Sequence, residues 1–299
     1  MANNTFNSQL TQSNPTVLIT GANGLNGAEL VKLFVARGLP VRAMVRDASR
    51  AREIVLPGVE VVQGDFNRPE TLVAALIGIE RAFLLSPSSE NAAEQQIAFV
   101  EAAKKSGAKH IVKLSQFGAD SLSSQRFLRY HGQVEDAMRA SGLSYTFLRP
   151  NLFMQALVQF APMIKGMRAF FAPARRGPIS IVDVRDIAQV AFASLTQPGH
   201  ENKIYDITGS QSLTRAQMAA QLSGSLGHRI RFVNLPAWIV RIALLKMGLP
   251  VWAADGVLEE YVSWKRGDNA PIRSGVCDAT GKAPRTFEQF ARDYAPAFG

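Results

Sequence analysis

A glycine-spaced bend directly after a short apolar run constrains this chain more than any other feature. Thr16–Thr20 (TVLIT) reads as a buried strand, Gly21-Ala22-Asn23-Gly24-Leu25-Asn26-Gly27 follows it, and Asn26–Arg37 carries a helical pattern ended by Gly38. Strand, G-x-x-G-x-x-G and helix in that order form the context in which such glycines grip a dinucleotide. Gly21 permits the tight turn, Gly24 lets the main chain approach a diphosphate, and Gly27 lets the helix pack close to the sheet. The amides of Asn23, Gly24, Leu25 and Asn26 then supply donors at the positive end of the helix.

The segments that follow keep the same alternation. Val41–Val45, Val59–Val62, Arg81–Leu85, His110–Leu114 and Tyr145–Leu148 read as strands, and Glu70–Ile77, Ala92–Ser106 and Gln125–Ser141 as the helices between them. Repeated strand–helix units at this spacing predict an α/β fold, a Rossmann-type doubly wound parallel sheet covered on both faces. Beyond Pro150 the pattern loosens into helices near Leu152–Ile164, Asp183–Leu195 and Arg215–Leu226, with strand-like runs at Ile179–Val182 and Lys203–Ile207. The expected organisation is a disordered tail over residues 1–14, a nucleotide-binding domain over 15–152, and a smaller C-terminal substrate lobe over 153–299. Residues 179–208 are expected to return to the sheet.

Composition excludes several function classes. The 299 residues carry a net charge of +9, but their 33 Lys and Arg are scattered and form no dense run interleaved with aromatics. A solvated basic surface is therefore expected, not a nucleic-acid groove. Met1–Asn14 has neither Lys nor Arg and no apolar block, unlike a signal or mitochondrial targeting segment. The most hydrophobic stretch, Leu235–Trp252, contains Arg241 and Lys246 between Pro236 and Pro250, too short and too charged to span a bilayer. It reads as a core or pocket helix, with membrane contact or dimerisation as the alternatives. A single cysteine, Cys277, rules out an internal disulfide and suits a reducing, cytoplasmic setting. His110, His131, His200 and His228 show no metal-ligand spacing, so no metal is expected.

Nineteen positions after Gly27, at the end of the second strand, stands Arg46. An acidic residue there would bind ribose hydroxyls, whereas an arginine suits the 2′-phosphate of NADP. Arg50 and Arg52 can add charge, while the adjacent Asp47 keeps a ribose contact open, so NADP(H) is favoured and NAD(H) not excluded. After the third strand, Asp65 is placed to meet the adenine amino group, or is simply a turn aspartate; Phe66 follows it.

The segments TGANGLNG (Thr20–Gly27), AMVRD (Ala43–Asp47), QGDF (Gln63–Phe66), KLSQFGA (Lys113–Ala119), HGQVEDAMRASGLSYTFLRPNLFMQ (His131–Gln155) and VDVRDIA (Val182–Ala188) together resemble the NmrA-like group of atypical short-chain dehydrogenases/reductases. The resemblance spans about residues 15–210. It implies a Rossmann fold with a small C-terminal lobe, and a group that includes NADPH-dependent quinone reductases, triphenylmethane reductase, relatives of isoflavone and benzylic ether reductases, and redox-sensing regulators that bind NADP without turnover. Fold similarity alone does not choose among these. On this reading Leu85, Ser86, Ser115 and Pro150 at the strand ends border the cofactor, and Phe117, Asn151 and Phe153 border the substrate. Pro150 is equally explained as a strand-to-loop turn. Phe153, Phe160, Phe170 and Phe171 fit either core or an apolar pocket.

Short-chain dehydrogenases of the usual type place Tyr-x-x-x-Lys on the helix after the fifth strand. The literal match here, Tyr261-Val262-Ser263-Trp264-Lys265, falls in the C-terminal lobe and reads as coincidence. In the expected helix, alignment on Ser141-Gly142-Leu143 puts Phe127 in the tyrosine's place and His131 in the lysine's. Phe127 cannot donate a proton, which disfavours alcohol dehydrogenation by the usual route. His131 is the catalytic and cofactor-binding candidate, suited to proton delivery or to a ribose or substrate contact; the structural alternative pairs it with Glu135 one turn on. Ser115 lies where the usual catalytic serine falls, with a lining or structural role the stronger reading. Asp183 reads as a helix N-cap.

The resulting expectation is an NAD(P)H-dependent reductase delivering hydride to a quinone-like or other apolar, electrophilic small molecule. A redox-sensing NADP(H)-binding regulator without turnover is the alternative, and an isomerase or lyase that retains its dinucleotide a third reading. The expected partner is a small-molecule substrate; a homodimer is left open.

Overall fold

The computed structural model describes residues 14–173 and 177–299, without the Arg50 side chain. The tail expected over 1–14 lies almost wholly outside the described residues. Elements run β1 (Val17–Ile19), α1 (Leu25–Ala36), β2 (Val41–Val45), β3 (Val59–Gln63), α2 (Pro69–Ala75), β4 (Arg81–Leu84), α3 (Ala92–Lys105), β5 (His110–Leu114), α4 (Arg126–Ser141) and β6 (Ser144–Pro150). Then follow α5 (Ala161–Met167), β7 (Ala169–Ala172), α6 (Val184–Thr196), β8 (Lys203–Ile207), α7 (Arg215–Leu226) and β9 (Arg231–Asn234). The chain ends in α8 (Ala237–Lys246), α9 (Val251–Arg266), α10 (Gly275–Thr280), α11 (Phe287–Asp293) and α12 (Ala295–Phe298).

Seven of the described strands form one parallel sheet in the order β3-β2-β1-β4-β5-β6-β8. Chain direction across the sheet reverses between β1 and β4, the switch point where ligands of such folds bind, outside the carboxyl ends of the strands. A parallel strand is covered on both faces, so its side chains alternate between two cores. In β5, Val112 and Leu114 join the core beneath α1 and α6, while Ile111 joins the core beneath α2, α3 and α4. A third core under β7, β9 and α7 holds the C-terminal lobe, with Phe170, Phe287, Phe290 and Phe298 fully buried. Each such ring contributes about 1.5–3 kcal/mol relative to exposure.

Several expectations need correction. Ile179–Val182 does not form a sheet strand; Ile179 and Val182 make only isolated bridges, to Leu213 and Phe153. Asn151 explains part of this, because its side chain bonds Ser180 and the Asn269 carbonyl and ties the segment to the lobe. Leu152–Ile164 is a 3₁₀ stretch, Met154–Phe160, before α5 begins. The Leu235–Trp252 stretch is not a core helix: in α8 only Val240 is buried, and Trp238 and Ile242 are 64% and 46% exposed. Among the described residues no helix is long and apolar enough to cross a membrane.

Candidate functional site

The bend after β1 is built so that no side chain could replace its key hydrogens. Gly21 sits at φ +61°, a left-handed conformation that glycine adopts without strain. A Cβ on Gly27 would lie 2.1 Å from the Gly21 carbonyl oxygen, so α1 can approach the bend only with glycine there. Gly24 caps α1 in extended conformation, and its amide donates to the Gly21 carbonyl at 2.9 Å. Thr20 fastens the bend to β4, its hydroxyl accepting from the Leu85 amide and donating to the Leu85 carbonyl, both at 2.8 Å. Leu85 is thereby fixed at the switch point.

Two cavities open on either side of Leu85. One, of about 400 Å³, lies over the ends of β1, β2 and β3 and is lined by Gly21, Asn23, Arg46, Asp65 and Phe66 with Gln95 beyond. Arg46 is exposed at its rim. Asp65 accepts from the amide and side chain of Asn67 at 2.9 and 3.2 Å, which makes it a turn aspartate that also lines the cavity. The other cavity, of about 270 Å³, lies over β4, β5 and β6 and is lined by Asn26, Ser86, Ser115, Phe117, His131, Pro150, Asn151 and Phe153. Its remaining wall is aromatic, from Phe127, Tyr130 and Trp264. Trp252 packs against Phe127 with ring centroids 5.3 Å apart.

These residues fit a dinucleotide. The cradle at Gly21 and Gly27 would be filled by any Cβ, the Asn26 side-chain oxygen is buried with no protein partner, and the two cavities meet at one residue. Gly24, Leu25 and Gly27 line neither cavity; their main chain forms the bend and the first turn of α1.

The floor of the smaller cavity carries charges that the sequence reading did not bring together. Lys113 on β5 is fully buried; its ammonium donates to the Leu114 carbonyl at 3.1 Å and to His131 Nδ1 at 2.7 Å. His131 thus pairs with Lys113 and not with Glu135, correcting the structural alternative offered for it. Desolvation lowers the Lys113 ammonium to about 7 despite the nearby Glu135, and desolvation plus the Lys113 charge hold His131 well below the usual imidazole range. Glu135, also fully buried, accepts from Ser115 Oγ at 2.6 Å and from Arg149 at 2.9 and 2.5 Å. The Ser115 hydroxyl donates to that carboxylate while the residue also lines the cavity. Tyr130 bonds Ser88 at 2.9 Å, and burial raises its phenol.

Asn151 lines the cavity with its amide engaged: Nδ2 donates to Ser180 and the Asn269 carbonyl, and Oδ1 accepts from the Leu152 amide and Asn269 Nδ2. Phe153 faces the same cavity, whereas Phe170 lies in the lobe core with Phe160 against it. Asp183 caps α6, accepting from the Arg185 amide at 2.9 Å. Tyr261 of the Tyr-x-x-x-Lys coincidence is buried against Trp264, and Lys265 is exposed. Its helix, however, is not remote from the site. One residue earlier, Glu260 enters the cavity wall and accepts a hydrogen bond from Gln116 Nε2. Burial pushes Glu260 up to about 7.

The NmrA-like family matches the chain over residues 13–291. NAD(P)H azoreductase of Xenophilus azovorans is 38% identical over 283 residues, covering 95% of this chain and 99% of that protein. Among solved structures, an NADPH-dependent quinone oxidoreductase from Escherichia coli, complexed with NADPH, superposes with a TM-score of 0.82 at 27% identity, covering 93% and 99% of the two chains. Triphenylmethane reductase from Citrobacter sp., complexed with NADP(H), gives 0.81 at 25% identity, covering 93% and 99%.

Proposed function

The chain belongs to the NmrA-like family, and from that premise we propose that it is an NAD(P)H-dependent oxidoreductase reducing flat, apolar, electrophilic small molecules, with quinones and azo compounds the first substrates to test. The observation that carries this reading is the pair of cavities meeting at Leu85 across the glycine bend, one with a polar rim and the other with aromatic walls.

NADP(H) is the preferred cofactor. The bend amides from Asn23 to Asn26 would hold its diphosphate, Arg46 its 2′-phosphate, and Ser86, Pro150 and His131 its nicotinamide half. When bound, it supplies hydride to an electrophilic atom held beside it. The chain's own contribution is orientation and exclusion of water: Phe127, Tyr130, Phe153 and Trp264 form the wall against which a planar substrate packs. His131 is the group that would deliver the proton. Residues 15–152 serve as the nucleotide domain and 153–299 as the substrate lobe, with α10 packing back on α6 and β8.

NADPH oxidation with a panel of quinones and azo dyes tests the proposal; tight NADPH binding with no turnover across the panel would favour the regulator reading. Phe127, which cannot act as an acid, is the feature that keeps that second reading in view. A cytoplasmic location accords with the lone exposed thiol of Cys277. For assembly we propose a homodimer, supported by Trp238, Ile242 and Met247 exposed around α8 and tested by sedimentation velocity.

A further inference from the structure

We infer that Lys113 is a buried proton store for His131, so that the pair hands one proton per turnover to the reduced substrate. The inference rests on the reductase reading of the cavity and adds to it a residue that does not touch substrate.

The charge on Lys113 sets the direction of the hydrogen bond. An ammonium has three donors and no acceptor, so Lys113 Nζ must donate to His131 Nδ1 across their 2.7 Å contact. A neutral imidazole that accepts at Nδ1 carries its proton on Nε2. The ring lines the cavity and lies against Tyr130, ring centroids 4.1 Å apart. His131 is thereby held as a donor toward whatever occupies the cavity.

A fully buried ammonium in the middle of a parallel sheet is costly, and among the described residues no hydrogen-bonded carboxylate offsets it. Glu135, which faces Lys113 from α4, is bonded to Ser115, Arg149 and Arg139 instead. Arg149 opposes the Lys113 charge from β6. Around His131 the other titratable groups are Tyr130, whose phenol burial keeps neutral, and Glu260 in the cavity wall contributed by α9. Near neutrality the pair therefore carries one mobile proton, held on lysine while the ring stays uncharged.

The step balances as follows. Hydride from the nicotinamide brings two electrons to one end of an N=N bond or of a quinone's conjugated O=C–C=C–C=O system, and the displaced π electrons collect on the other nitrogen or the far oxygen as an anion. The Nε2–H bond breaks as that atom forms O–H or N–H. His131 Nδ1 takes a proton from Lys113, whose ammonium becomes an amine. After product leaves, one solvent proton reaches Nε2 through the open cavity and the Nδ1 proton returns to lysine.

The test uses full-length protein labelled with ¹⁵N at histidine, first without cofactor. The expected spectrum near neutral pH shows His131 uncharged with its proton on Nε2, a preference lost in Lys113→Met. With quinone and NADPH, Lys113→Met should lose on the order of a hundredfold in kcat, with KM little changed, and should lack the decline expected of wild type above about pH 7. Lys113→Arg, which keeps the charge but cannot release its proton, should keep the tautomer and still lose the rate. A wild-type ring protonated on Nδ1, or full kcat in a folded Lys113→Met, overturns the relay and leaves the reductase reading standing. The reductase reading fails separately if the expected tautomer is present and no substrate consumes NADPH.

Discussion

Glu135 on α4 and Arg149 on β6 join helix to sheet through two hydrogen bonds, Nε to Oε1 at 2.9 Å and Nη2 to Oε2 at 2.5 Å, with the carboxylate fully buried. Ser115, at the end of β5, adds a third bond to the same carboxylate. Breaking a buried pair by removing one partner strands the other charge, which costs about 3–5 kcal/mol. Glu135→Leu should therefore lose about that much in urea denaturation. Coupling it with Arg149→Met removes both charges, and most of the loss should return.

Within the glycine bend, two alanine substitutions are expected to separate folding from binding. On Gly27 a Cβ would meet the Gly21 carbonyl oxygen at 2.1 Å and the Ala22 Cα at 2.8 Å, so α1 must move away from β1. Gly27→Ala should lower the melting temperature and abolish nucleotide binding together. On Gly24 the nearest contact is 3.2 Å, to the same oxygen. Gly24→Ala should melt near wild type while titration calorimetry shows weakened NADPH binding.

The strands up to Leu148 and the bend were legible because their signals are local. Alternating apolar runs and punctuating glycines impose the same conformation whatever packs beside them, and His110–Leu114 has the same ends in sequence and structure. Helix α8 was misread because hydrophobicity does not say whether a partner covers it. Lys113 went unweighed as a functional residue because one cation in an apolar strand cannot be assigned a neighbour until α4 is laid over β5. Its only signal was an ionisable side chain in HIVKL, where parallel strands are otherwise apolar. Glu260 and Trp264 were missed for a related reason: their role depends on how α9 closes over the sheet, which no periodicity records.

At the rim of the larger cavity, Arg46 has no hydrogen bond or ion pair to its guanidinium among the described residues, while its carbonyl accepts from Gln63. A charge-assisted bond to a phosphate is worth about 1.5–3 kcal/mol. Arg46→Ala should thus weaken NADPH by about ten- to a hundredfold and leave NADH nearly unchanged, read by fluorescence titration of both. Equal losses would remove the case for 2′-phosphate recognition.

Glu260 makes a prediction about pH whose sign is set by burial. Its carboxyl is pushed up to about 7, desolvation outweighing the bond from Gln116. Between the ordinary value of 4.5 and about 7, the folded protein holds a proton that the unfolded chain has released. Stability then falls as pH rises through that window, by up to about 3 kcal/mol. Glu260→Gln, which cannot ionise, should flatten this part of the curve and melt higher than wild type above pH 7. Because the same carboxyl stands in the aromatic wall, its ionisation also places a negative charge beside the substrate. Binding of a neutral quinone to wild type should weaken as pH rises through about 7, where the folded carboxyl ionises, and binding to Glu260→Gln should not. Melting curves and substrate titrations at matched pH check both. A wild-type melting profile that is level from pH 5 to 8 would show that Glu260 ionises normally and that the wall is wetter than its packing implies.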